Sequence, residues 1–391
     1  MIPSIDTIDL APWCHRMRVA HPIVYNSEYP RVHGGKGAWH LFRYHDIRYV
    51  LDHHEIFSSE FISRKNHLGN SFLATDPPRH GKLRSLVAKA FTPTAIAYLE
   101  SWITSQCESL LQPLLSAGKM DFIDDFARQL PKRTILQFLG LPPEITAQLL
   151  PQEIDILGKN HSEDPGSLQL MEERISQPFY QYISQYQQGI TSGHNIIAGL
   201  IDANTDGEKL TLAELLGFCI VLLSGGIETT EAFLGNAMYT LCKLPALQEY
   251  LIQHPASIPA AMEEVLRFRS PVLNFHRIAR HNTIINGIEI KAGELVGLYS
   301  ISANRDPEVF NNPDEFNVHR NNSMSLSFGH GIHSCIGSML ARMEARIAFS
   351  IILKHMSGIS IQEDAVLSLS GSPITYDLKT LPITFRNRHI Q

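Results

Sequence analysis

Apolar residues fill the stretch from Leu215 to Leu223, and the helical pattern around them runs from Thr211 to about Lys243. Thr211-Leu-Ala-Glu214 has the form of a capping box, the threonine side chain answering the third backbone N–H and the glutamate reaching back. Leu244-Pro245 stops the helix. At 1.5 Å per residue it would span roughly 50 Å. Its first half is apolar nearly all round, the mark of a helix in the middle of a protein. Its centre, Ser224 to Glu231, reads "SGGIETTE" and breaks that pattern. Two glycines cost roughly 1 kcal/mol each in a helix interior, and an acid among threonines in a buried segment needs partners. A kinked helix with a close neighbour would account for this. So would a local opening where a ligand packs on bare backbone, with Glu228 and Thr229 as a relay to solvent.

Shorter amphipathic patterns surround this helix. Ile47, Val50 and Leu51 have helical spacing, and helices are predicted over Arg84–Phe91, Thr94–Leu115, Ala127–Phe138 and Ser167–Gln187. Strand-like pieces are Ala38–Arg43 ("AWHLFR"), "NTIINGIEI" from Asn282, and "LPITF" from Leu381, the last two beside glycine or proline. Ile336, Met339, Leu340, Met343 and Ile347 predict one more amphipathic helix that starts at or near Cys335. The expectation is a single, mainly α domain over residues 1–391 with a minor β region. Its β-containing N-terminal part covers about 1–60 and its helical core about 75–270.

Composition narrows the classes. With 44% hydrophobic and 18% charged residues the chain buries a sizeable core, and a net charge of -6 argues against a nucleic-acid binder. No run approaches roughly 18 consecutive apolar residues, so no membrane span is expected, and the N-terminus has no leader pattern. The five cysteines are scattered without a C-x-x-C pair, which suits a reducing cytoplasm.

One of them, Cys335, lies among Gly329, Gly331 and Gly337, two residues after His333. A thiol at a helix N-terminus meets unpaired N–H groups and the positive end of the helix dipole, both of which favour thiolate. The upstream glycines allow turns that point amides at sulfur, and Phe328 would shield it from water. A nucleophile beside His333, a zinc ligand with His330 and His333, an axial iron ligand and an inert buried cysteine all remain open at this point. The zinc spacing is awkward and lacks a second half.

Phe328–Gly337, "FGHGIHSCIG", resembles the cysteine-ligand signature of the cytochrome P450 family, F-G-x-G-x-H-x-C-x-G, at every fixed position. Glu264-Val-Leu-Arg267 followed by Ser270-Pro-Val272 is similar to the family's E-x-x-R region. "ANRDPEVFNNPDEF" (Ala303–Phe316) resembles the approach to the haem loop, here 325–340. "GGIETT" (Gly225–Thr230) resembles the oxygen-binding turn, "DPPRHGKLR" (Asp76–Arg84) the helix that offers a histidine and an arginine to haem, and Trp39–Ser59 the N-terminal strand and helix.

The resemblance implies a haem-thiolate monooxygenase carrying haem b, with Cys335 as the iron's axial ligand. It implies His80, Arg84, Arg277 and His333 as partners of the two propionates, with Phe328 and Gly337 around the thiolate. Gly225 and Gly226 would leave room for O2 and substrate; the family often has alanine at the place of Gly225. Glu228 and Thr229 would deliver two protons, which favours reductive activation of O2 over peroxide. Electrons would come from NAD(P)H through a ferredoxin and its reductase, with Arg342 and Arg346 as candidates for the docking face. Glu264 and Arg267 would form a structural ion pair joined by Arg320.

The pocket would be lined by residues 58–74, Val221, Ser224, Gly225, Leu273, Asn274 and Phe275. That lining suits a small lipophile, a terpenoid or steroid ahead of a fatty acid. Asn274 would orient one polar group, and Arg64–His67 offers a carboxylate contact or a solvated loop. A cytoplasmic monomer is expected. Rival readings are a peroxide-driven or non-oxygenating enzyme of the same fold and a haem sensor without turnover.

Overall fold

The computed structural model describes residues 8–30, 36–64, 66–152, 165–191, 195–205 and 208–388. Its axis is the helix Leu212–Lys243, continuous over 32 residues and buried along most of its length. Both halves of the capping box form: Thr211 Oγ1 accepts the Glu214 N–H at 3.2 Å, and Glu214 Oε2 accepts the Thr211 N–H at 2.9 Å. Arg79 pairs with the same carboxylate at 2.5 Å. Among the described residues this is the one helix long and apolar enough to cross a membrane, and it is enclosed by protein.

Helices Gln129–Leu139, Pro165–Gln187, Ile258–Phe268 and Ser338–His355 pack around it. Small residues set two of the contacts. A Cβ on Gly226 would meet Ile135 Cδ1 and Cγ1 at 3.0 Å, and one on Gly235 would meet Ile123 Cδ1 at 2.7 Å. The continuous apolar core spans these helices from Ile62 to Phe385.

Several boundaries differ from the spacing. The predicted helix at Arg84 starts earlier, at Arg79, and Thr94–Leu115 divides into Pro93–Ile96 and Leu99–Leu111. "NTIINGIEI" is a hairpin, Thr283–Ile285 paired with Ile288–Ile290, turning at Asn286-Gly287 with both residues at positive φ. The helix after Cys335 begins at Ser338.

A five-stranded sheet closes one side in the order Ile23–Pro30, Lys36–Leu41, Leu295–Leu298, Phe275–Ala279, Phe57–Ser58. Leu295–Leu298 runs parallel to Lys36–Leu41 and antiparallel to Phe275–Ala279, with Gly297 opposite both His40 and His276 and Val296 opposite Arg277. Side chains alternate between faces along a strand, so His276 and Arg277 project to opposite sides. His276 meets Tyr29 and Phe61. A second, three-stranded sheet joins Met356–Ile361, Pro382–Asn387 and Lys119–Asp121.

Candidate active site

The loop before helix Ser338–His355 reverses twice. Gly329 and Gly331 take φ of +68° and +71°, a region that a side chain disfavours. A Cβ on Gly331 would also strike Leu51 O at 2.8 Å, so the loop lies directly on the end of helix Tyr44–Asp52. His330 Nε2 meets Asp52 Oδ1 there at 3.0 Å. The Cys335 N–H donates to Phe328 O at 2.8 Å, closing the hairpin.

Cys335 has open surface, yet protein surrounds it closely. That burial raises its pKa, while the Gly337 amide, Arg84, Arg342 and the Ser338 amide pull the other way. Amide hydrogens do converge on the sulfur. Phe328 lies beneath Arg342, whose guanidinium carbon is 4.5 Å from the ring centre. Cys14, Cys107 and Cys219 are buried, and burial drives their thiols well above the ordinary value.

Beside the cysteine loop the chain gathers cations and rings without matching acids. The His80 and His333 rings are 4.2 Å apart. Arg84 donates to Ser334 O at 2.5 Å, and Arg277 donates to its neighbour His276 O at 2.7 Å. Burial, then Arg277, His80 and Arg84, push His333 down to about 2. Burial and then Arg84 push His80 down to about 4, and burial takes Arg277 to about 10. Asp76 is close enough to act on His80 and Arg277, but its oxygens accept from Ser58, the Ser59 N–H and Arg280. His80 Nε2 and both ring nitrogens of His333 are buried without a hydrogen-bond partner among the described residues. Two guanidinium groups and three orphaned imidazole nitrogens beside a cleft call for a ligand bearing carboxylates.

On the central helix, Gly225 has open surface in an otherwise buried stretch, and a Cβ there would meet nothing within 4 Å. Gly226 instead presents its bare face to Ile135. One glycine of the turn therefore serves a close helix neighbour and the other leaves bare, open backbone. Thr229 is partly exposed on the open side, and its hydroxyl donates to Gly225 O at 2.6 Å. Glu228 is fully buried.

Glu264 and Arg267 form a bidentate pair at 2.8 and 2.9 Å with no solvent exposure. Arg320 Nε joins Glu264 at 3.1 Å, as the resemblance implies. Spacing does not reveal Asn304. Its carbonyl accepts from Arg267, its side-chain oxygen takes the Leu326 N–H at 2.7 Å, and its amide meets Ser327 at 2.8 Å. Ser327 then donates to Leu266 O at 2.6 Å. These bonds tie the start of the cysteine loop to the ion-paired helix.

The expected pocket wall is divided. Val221 and Ser224 are buried on the central helix, with the Ser224 hydroxyl spent on Ile220 O at 3.0 Å. Phe275 is partly exposed and reaches Gly329, its Cζ 3.8 Å from where a Cβ would stand. Leu273 does not join them; it packs with Trp13, Phe42 and Tyr299 in a separate cluster. Asn274 is buried with its amide on Pro373 O at 3.0 Å. Arg64 pairs with Glu60, and Lys65 of the Arg64–His67 stretch lies outside the described residues. Arg342 and Arg346 pair with Glu263 and Glu100 at 2.6 and 2.7 Å, so that surface is charge-balanced. No three metal-binding side chains converge among the described residues, and His330 turns to Asp52, which opposes the zinc reading.

A family model described as Cytochrome P450 matches residues 167–374. Cytochrome P450 109 of Bacillus spizizenii is 36% identical over 362 residues, covering 90% of this chain and 88% of that protein. The chain belongs to the cytochrome P450 family. The erythromycin C-12 hydroxylase of Saccharopolyspora erythraea is 33% identical over 391 residues, 97% of this chain and 95% of the relative. The crystal structure of CYP109E1 from Bacillus megaterium in complex with testosterone matches with a TM-score of 0.85 at 32% identity, covering 96% of this chain and 98% of that one. As a P450 this protein is a haem b monooxygenase that uses O2, a small substrate and NAD(P)H-derived electrons delivered by redox partners. The chemistry of these residues suits the P450 cofactor: a thiol with converging amides, guanidinium groups and unpaired imidazole nitrogens near it, and an open turn on the central helix.

Proposed function

We propose that this P450 hydroxylates a small lipophile, a terpenoid or steroid ahead of a fatty acid. Its electrons would come from a ferredoxin and reductase in the cytoplasm. The observation that carries the site assignment is the placing of Cys335 between the Gly337 and Ser338 amides, beside Arg84. Cys335 would ligate the haem iron, and His80, Arg84, Arg277 and His333 would hold the propionates. Bound haem supplies the iron chemistry that activates O2 once reduced.

The chain's own residues supply protons and shape. Thr229 Oγ1 holds a proton on the open side of the helix, and the buried Glu228 restores it from water. Gly225 keeps that side free of a methyl group. The Ser224 and Thr229 hydroxyls are both bonded to the helix backbone. With the Ser224 hydroxyl committed to the backbone, substrate would be oriented chiefly by shape. The steroid in the CYP109E1 complex, testosterone, supports the steroid reading, and the relative named an erythromycin C-12 hydroxylase supports hydroxylation as the reaction.

Reduction under carbon monoxide tests the ligand. Wild type should give the strongly red-shifted Soret band of thiolate ligation, and Cys335→Ala should lose it; an unchanged band in the variant refutes the assignment. Terpenoids, steroids and fatty acids compared by low- to high-spin titration then test the substrate class.

A further inference from the structure

The stretch "SGGIETTE" ends in a second acid, Glu231, for which the roles of Glu228 and Thr229 leave no use. Its side chain is only 5% exposed, on the central helix three residues after the fully buried Glu228. Residues at that spacing share a helix edge, with about 5–6 Å between their Cβ atoms. Two glutamate side chains span such a gap directly or through one water. A buried charge is costly to keep, and even a paired one contributes little to stability.

Glu231 has a way out to solvent. Arg128 Nε lies 3.4 Å from its Oε1, and the Arg128 side chain is 46% exposed. The Nη1 of the same guanidinium pairs with Asp124, whose side chain is 51% exposed. Exposure therefore climbs in steps from Glu228 through Glu231 to Arg128 and Asp124. The inner contact is long beside the bonds of 2.8 and 2.9 Å between Arg267 and Glu264. A guanidinium shared in this way can turn wholly to the outer acid and leave the inner one to water.

The backbone places Arg128 at this point. Ile123–Ala127 forms a π-helical turn, and the Arg128 N–H donates five residues back to Ile123 O at 2.9 Å. The wider turn shifts the phase of the helix that follows, and such turns recur at functional sites. Gly235, one turn beyond Glu231, lets Ile123 close on the central helix, since a Cβ there would stand 2.7 Å from Ile123 Cδ1.

We propose that Glu231 is the outer station of the proton route to Glu228, and that Arg128 gates it. The inference rests on the roles proposed for Glu228 and Thr229. With Arg128 turned to Asp124, Glu231 takes a proton from water. It passes that proton to Glu228 after Glu228 has given its own toward Thr229, and it returns to its anionic form beside Arg128. Two such passes supply the two protons of one turnover. Glu231 acts only through Glu228, as a positioning residue for that proton.

Glu231→Gln keeps an acceptor for Arg128 but carries no proton. The test uses haem-loaded protein, NADPH, a surrogate ferredoxin and reductase, and testosterone as the probe lipophile. Oxygen uptake should slow about 10-fold, short of the 100-fold or more that follows loss of a general acid. Its solvent isotope effect in D2O should rise, which a merely structural role would not cause. The carbon monoxide spectrum and the testosterone titration should stay as in wild type. Asp124→Asn, at an exposed position, should hold Arg128 on Glu231 and raise the isotope effect by a smaller factor. Apart from turnover, Glu228→Gln and Glu231→Gln should shift urea midpoints non-additively, as neighbours in one network do. Wild-type uptake and isotope effect in Glu231→Gln, or additive midpoints, overturn the proposal. Slowing by Glu228→Gln alone removes only Glu231, whereas wild-type uptake in both variants removes the Glu228 reading as well. Should Glu231→Gln not fold, the isotope effect of Asp124→Asn decides.

Discussion

Gly225 and Gly226 are neighbours in one helix, yet the structure gives them opposite environments, so identical substitutions should separate. Alanine gains about 1 kcal/mol over glycine in a helix interior. At Gly225 the new methyl would meet nothing within 4 Å, and that gain should appear nearly whole. At Gly226 the methyl would stand 3.0 Å from Ile135 Cδ1 and Cγ1, with Ile135 Cβ at 3.4 Å. A β-branched side chain has few rotamers with which to retreat. Overpacking of this kind costs about 1–3 kcal/mol. Gly225→Ala should therefore stabilise by about 1 kcal/mol, and Gly226→Ala should range from neutral to about 2 kcal/mol destabilising. For a chain of 391 residues each kcal/mol is about 1 °C in melting temperature. Urea midpoints resolve the difference more securely. Ile135→Val, which alone costs about 0.5–1.5 kcal/mol, should cost less in the Gly226→Ala background, giving measurable coupling. Gly225→Ala should also weaken binding of bulky lipophiles in spin-shift titrations, because its methyl occupies the open side. Equal stabilisation by the two alanines, or additive behaviour with Ile135→Val, would refute the assignment of one glycine to the cleft and the other to packing.

Thr229→Ala should keep the carbon monoxide spectrum but release peroxide in place of product, measured as NAD(P)H consumed per product formed; full coupling would make Thr229 merely structural. Glu264→Gln leaves Arg267 and Arg320 without their shared anion and should cost about 3–5 kcal/mol, seen as a large fall in the urea midpoint; a fall under 1 kcal/mol would show that the pair behaves like a surface one. Burial and then His276 push His40 down to about 3, and burial and then Arg277 push His276 to about 4. Both are neutral when folded and take protons near pH 6.5 when unfolded, so stability should fall as pH drops below about 6.5, by up to roughly 1.4 kcal/mol per pH unit per histidine. His40→Leu should make urea midpoints less sensitive to pH between about 6.5 and 4; an unchanged slope would remove His40 from that account.

The features written in local chemistry were legible. The Thr211–Glu214 capping box, the stop at Leu244-Pro245 and the amides around Cys335 follow from residue type and spacing, and the structure contains each. Features set by distant partners were not. Nothing in "SGGI" says that Ile135 covers the second glycine, because that depends on how two helices cross. Leu273 shares its apolar character with pocket residues, and only the position of Trp13 and Tyr299 diverts it elsewhere. Asn304 reads as a turn residue near an acidic stretch, although its side chain fastens the cysteine loop to the helix of Glu264. Arg320 was found because the resemblance supplied its role; its distance of 56 residues from Glu264 carries no such signal by itself.

The parallel pairing of Lys36–Leu41 with Leu295–Leu298 has a consequence for synthesis. The strand carrying Arg277 lies against Leu295–Leu298, so the sheet around it joins pieces made at opposite ends of translation. Some 250 residues separate Leu41 from Leu295, which at roughly 5–20 residues per second is a wait of about 10–50 s. During that interval the early hairpin exposes an unpaired edge to chaperones and to other nascent chains. Cofactor capture must then wait for late synthesis: the rim strand Leu295–Leu298 and the cysteine loop at Cys335 follow Leu41 by roughly 250 and 290 residues.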